Sequence, residues 1–123
     1  MNRNIERYMT KRGMRDNYDH IVLAGAALGA ITDKFPAWNQ TFWEHLDVAI
    51  KLHHIHTVMV MDRRYCGAYK VVLGEDFLKN KAKETEIHGT QLRTLKGKVL
   101  EKHEHLKVEM LLMGLKGDVT VIA

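Results

Sequence analysis

The sequence predicts an α/β fold: a mostly parallel sheet with flanking helices, ending in an antiparallel hairpin. Three observations predict it. Two continuous apolar runs, Ile21 to Ala27 and Thr57 to Met61, are bounded by polar or glycine residues and suit strands buried on both faces. A segment with apolar residues at helical spacing separates them, which is the strand–helix–strand order of a parallel crossover. A third strand, Lys107 to Met113, runs through the turn Gly114 to Asp118 into a fourth, Val119 to Ile122. That pair reads as a hairpin at the edge of the sheet.

The 123 residues fit a single domain, 1–123, able to bury a core without disulfides or a structural metal. One proline and no Ser/Gly-rich tract argue against a linker or a disordered tail. Cys66 is the sole cysteine, so no internal disulfide is expected. The first residues are polar, unlike a signal segment. The longest apolar run, Ile21 to Ile31, is too short to cross a bilayer. These features point to a cytoplasmic protein without a membrane partner. A net charge of +4 and a pI near 9.2 permit an anionic partner. Such a mild excess does not call for nucleic acid.

Residues 2–12 fit a short helix that stops at Gly13, a natural position just past a helix end. Its cations, Arg3, Arg7, Lys11 and Arg12, read as a solvated face, with an arm for an anionic polymer or a partner subunit as the other reading. Gly25 and Gly29 lie where the first strand would leave the sheet. Residues 32–40 contain Pro36 and read as a loop. Thr41 followed by Glu44 forms a capping box for a helix from Phe42 to His54. After Met61 comes a polar loop, Asp62 to Lys70, at the carboxyl end of a strand, where open α/β sheets bind ligands. Glu75 to about His103 is a long helical stretch, with Gly89 and Gly97 as points where it breaks or bends.

That loop holds the strongest constellation: Asp62-Arg-Arg-Tyr-Cys66-Gly-Ala-Tyr-Lys70. A cysteine at a strand end, followed by glycine and a helix start, gains thiolate character from free N–H groups and the helix dipole. Arg63, Arg64 and Lys70 push the same way. The same arrangement of Arg63, Arg64, Cys66, Gly67 and Lys70 suits a small anion.

The segment from Val58 through Gly74 resembles the part of β-class carbonic anhydrases where a strand runs into His-x-x-Cys-Gly. The run Ile21 to Ala30, the segment Phe42 to Val60 and the C-terminal Val108 to Ile122 resemble further pieces of that family in order and spacing. The likeness covers nearly the whole chain and is nearest to a small bacterial branch. It implies the family's fold, a zinc site and a subunit that dimerises. In the family the His and Cys of that motif are two of three zinc ligands. Here the Cys position is Cys66, but the His position is Arg63. The family's first strand supplies a third ligand and an Asp–Arg dyad, whose positions align with Asn2 and Asn4, and the sequence shows no counterpart of that strand or its cysteine. A catalytic zinc needs three protein ligands and a water, and a cation at position 63 repels it. The resemblance therefore implies a carbonic anhydrase homologue without zinc-dependent CO2 hydration and without a cofactor, holding a small anion such as bicarbonate near Cys66. Zinc enters if the alternative holds, a working carbonic anhydrase with unusual ligands, for which Asp62 is the nearest substitute. A third reading is a structural protein that keeps the fold in order to oligomerise.

Elsewhere, His53, His54 and His56 form one cluster and His103 with His105 another, both at the far end of the strands from Cys66. They read as helix-terminal histidines. His45 and His88 read as lone surface residues. Met59, Met61, Met110 and Met113 read as core filler, and Trp38 and Trp43 as packing anchors. The apolar run from Ile21 and the aromatics after it predict a homodimer or a higher even-numbered oligomer.

Overall fold

The computed structural model describes residues 2–14, 26–64, 66, 69 and 80–123. Helices α1 (Asn2–Lys11), α2 (Ala27–Ile31) and α3 (Pro36–His53) precede strand β1 (Thr57–Arg63). Helix α4 (Lys81–Lys102) and strands β2 (Lys107–Met113) and β3 (Val119–Val121) follow.

The first helix ends as its glycine implies. Gly13 sits at φ 74°. Its N–H donates to the Thr10 carbonyl at 3.0 Å, and that of Met14 donates to Met9 at 2.9 Å. This pair of bonds satisfies carbonyls that the helix end would leave orphaned. Arg12 then reaches across to the sheet, where its two terminal nitrogens hold the Glu109 carboxylate at 2.6 and 3.2 Å.

The second half of the apolar run is helical, not extended. Ala27, Leu28, Gly29 and Ala30 are buried in α2, so the strand expected over Ile21 to Ala27 does not reach Ala27, and its residues 21–25 lie outside the described residues. The next helix starts earlier than expected, at Pro36 instead of Phe42. Proline at the first helical position loses no needed donor and already has a helical φ. Thr41 is no cap: it sits inside α3, and its hydroxyl donates to the Ala37 carbonyl at 2.9 Å. Asn39 ties the start of α3 to the preceding turn, donating to Thr32 and Gly29 carbonyls at 2.9 and 3.2 Å.

The sheet order is β1-β2-β3. β1 and β2 are parallel, from Thr57 beside Lys107 to Arg63 beside Met113. β2 and β3 are antiparallel, with Leu111 beside Val121 and Met113 beside Val119. The described sheet is therefore mixed, which corrects the expectation of a mostly parallel one. It holds one parallel pair and one antiparallel pair; the latter is the expected hairpin, whose Gly114 N–H donates to the Asp118 carbonyl at 2.7 Å, so short a link that the chain reverses.

Helices α2 and α4 lie against this sheet, and α3 packs on α2. Ala27 and Ala30, Phe42 and Leu46, and Leu92, Leu95 and Val99 pack with Val60 of β1 and Val108, Met110 and Leu112 of β2. Each large side chain so buried stabilises by about 1.5–3 kcal/mol before entropy is counted. Helix α4 passes unbroken through Gly89 and Gly97. Among the described residues, no helix is long and apolar enough to cross a membrane.

Candidate functional site

Side chains alternate along a strand, and Val58, Val60 and Asp62 share the face of β1 that meets the helices. The first two are apolar. Asp62 is only 1% exposed. Helix α4 mirrors this. Its buried stripe of Leu92, Leu95 and Val99 continues towards its N-terminus as His88 and Glu84, both 0% exposed. Arg64, just past β1, is buried as well. Four residues of helix rise about 6 Å and two residues of strand about 6.6 Å. His88 therefore meets Asp62 where Glu84 meets Arg64.

The contacts form one connected network. The Oδ1 atom of Asp62 accepts the Ala27 N–H at 3.0 Å. The Oδ2 atom takes the Tyr69 hydroxyl and lies 2.7 Å from His88 Nδ1. The Tyr69 and His88 rings touch, with centroids 4.0 Å apart. On its other side His88 Nε2 is 3.9 Å from Glu84 Oε2. Arg64 donates from Nη1 to Glu84 Oε1 at 3.0 Å and from Nη2 to Thr85 Oγ1 at 2.8 Å. Burial, and then the Asp62 charge, push the Tyr69 phenol far above its ordinary range, so its proton stays on and donates to Asp62. Ala26 has φ 45°, a strained value for a residue with a Cβ, and the Ala27 bond to Asp62 pins the next residue.

Around the expected anion site the structure is selective. Arg63 is exposed at the last position of β1. Arg64 is turned inward onto Glu84 and does not face a ligand. Cys66 is half-buried, packed against Tyr69 and Leu28. Gly67 and Lys70 lie outside the described residues. Asp62, the expected substitute zinc ligand, has both oxygens engaged by donors. An arginine offers no lone pair to a metal, so Arg63 cannot replace an imidazole. Among the described residues no three of His, Cys, Asp and Glu are placed to hold a metal ion.

The other histidines divide. His53, His54 and His56 are exposed, and His103 Nε2 lies 3.2 Å from Asp47 at the far end of the sheet. His88 is the correction: it is a fully buried partner of Asp62, not a surface residue. Trp38 stacks on Phe35, while Trp43 lies edge-on to Phe42 and takes the Lys102 ammonium 4.3 Å from its ring centroid. Tyr69, Glu84 and His88 were not foreseen as site residues. One signal for them was in the sequence. Glu84 and His88 stand four apart and in line with Leu92, so polar residues occupy the stripe that packs inward.

An uncharacterized protein of Rickettsia conorii is 38% identical to this chain over 117 residues, covering 95% of the chain and 63% of that protein. The chain thus spans less than two thirds of that relative's length. An uncharacterized protein of Rickettsia bellii is 35% identical over 117 residues, 95% of the chain and 71% of its own length. No family model matches the chain, and no solved structure matches it.

Proposed function

The chain belongs to one family with these rickettsial proteins, and within it we propose a carbonic anhydrase-like domain that binds a small oxyanion such as bicarbonate beside Cys66, without zinc-dependent hydration of CO2. The carrying observation is where the charges at the end of β1 point. The carboxylates of Asp62 and Glu84 are 1% and 0% exposed and face inward, compensated by His88, Tyr69 and Arg64. Among the described residues, the charged group left exposed at the strand end is the Arg63 guanidinium. A guanidinium matches the planar fork of a carboxylate or bicarbonate, and the carboxyl end of a parallel strand is where such sheets take ligands.

Cys66 forms one wall of this site, and Gly67 and Lys70 complete it in the proposal. We read the domain as a cytoplasmic homodimer or higher even-numbered oligomer. Val48 and Leu52, one turn apart and both exposed on α3, support an apolar contact surface.

The test combines calorimetric titration with bicarbonate, elemental analysis for zinc and a CO2 hydration assay. The expected result is saturable bicarbonate binding that Arg63→Ala weakens, zinc well below one per chain, and no hydration above background. One tightly held zinc per chain with CO2 hydration overturns the reading, as does bicarbonate binding indifferent to Arg63.

A further inference from the structure

The buried network does more than neutralise charge, because one of its members is bonded to Cys66. The Tyr69 N–H donates to the Cys66 carbonyl at 3.2 Å. The Tyr69 side chain anchors this bonded pair to the protein. Its hydroxyl is held by Asp62 Oδ2, and its ring packs against Leu28 and Cys66. His88 touches both parts of this anchor. It shares the same carboxylate oxygen at 2.7 Å and lays its ring against the phenol.

A purely structural stripe position this deep would hold an aliphatic residue, as Leu92, Leu95 and Val99 do further along α4. An imidazole there loses its hydration and needs a partner to offset that cost. Its partner is the residue that directly precedes Arg63. We infer that His88 is a positioning residue for the anion site, acting through Asp62 and Tyr69 to hold Cys66 in place. The inference rests on the anion-site reading for its function, though not for its geometry. Without the imidazole, Tyr69 loses one wall of its slot and Asp62 one of its donors, and the packing of Tyr69 against Cys66 can loosen locally.

The experiment measures the alkylation rate of Cys66 by iodoacetamide at one fixed pH, well below the unfolding temperature, alongside bicarbonate titration. The full chain is compared with His88→Ala, His88→Asn and Leu95→Ala. The Asn amide nitrogen takes the place of Nδ1. His88→Ala is expected to speed alkylation about tenfold through local opening and to weaken bicarbonate binding. His88→Asn should restore most of both. Leu95→Ala, a core truncation, should lower stability and leave the Cys66 rate unchanged. An unchanged rate in His88→Ala overturns the inference, and so does an equal rise in Leu95→Ala or an Asn variant as fast as Ala. If His88→Ala does not fold, Tyr69→Phe decides: loss of the hydroxyl alone should give a smaller but clear rise, and no rise overturns the inference. A Cys66 rate that responds to His88 in a chain that binds no bicarbonate overturns the anion reading alone and leaves the positioning role standing.

Discussion

Replacing Arg64 by methionine should be among the most damaging single changes in this protein. The Arg64 and Glu84 side chains are 8% and 0% exposed, and their charges meet at 3.0 Å. Methionine fills similar space but leaves the Glu84 carboxylate buried without its guanidinium. Removing one partner of a buried ion pair costs about 3–5 kcal/mol, against a typical domain stability of about 5–15 kcal/mol. Other consequences are small. The bond from the Arg64 backbone N–H to the Met113 carbonyl survives. Thr85 still donates to the Lys81 carbonyl at 3.1 Å. Changing Glu84 to methionine as well removes the stranded charge, so the double variant should regain most of the loss, with a coupling energy of about 2–3 kcal/mol. Urea unfolding of the four proteins, with slopes compared to confirm a common unfolded state, measures this. A single-variant loss below about 1 kcal/mol, or strict additivity, would refute the buried pair.

Four further outcomes are expected. Leu95→Ala, at a position 0% exposed, should lose about 2–5 kcal/mol in the same unfolding assay. Arg12 holds the Glu109 carboxyl below its ordinary range, chiefly by hydrogen bonding; its contribution to stability is present above that ordinary range and is lost as pH falls through the lowered value. Glu109→Gln should therefore be less stable than the parent at neutral pH and converge with it in acid, and parallel curves would refute the pairing. Gly13→Ala, at φ 74°, should lose about 1 kcal/mol and speed amide exchange in the last turn of α1. Light scattering at micromolar concentration should report a dimer or higher even-numbered assembly, and a monodisperse monomer of 14.2 kDa would refute it.

The hairpin and its parent strand were legible because their signals are local. Lys107–Met113 is bounded by a polar stretch and by Gly114, and the structure returns those bounds. The N-terminal helix was legible for the same reason, through Gly13. The start of α3 was misread because two local signals competed. Proline was taken as a loop residue although it also suits a first helical turn, and Thr41 has the composition of a cap while its hydroxyl bonds back along the helix. The glycines of α4 suggested a break. A glycine inside a helix costs only about 1 kcal/mol, less than the packing of Leu92, Leu95 and Val99 supplies.

The site was half legible. Its location at a strand end followed from strand order and the Cys66 segment. The inward turn of Arg64 did not, because its partner is 20 residues away. The pairing of Asp62 with His88 spans 26 residues and depends on how α4 lies across the sheet. Only the in-line placement of Glu84 and His88 with the apolar stripe foreshadowed it.

The change from apolar to polar along both β1 and α4 has a mechanical consequence. A helix that packs through leucines and valines alone can slide by a turn, about 5.4 Å, and find much the same surroundings. Here a slip one way would carry Leu92 against Asp62, stranding a carboxylate in an apolar setting, and a slip the other way would carry His88 against Val60, stranding an imidazole. The two surfaces act as a keyed track with a single seat. Helix α4 is thereby denied ratcheting as a way of moving.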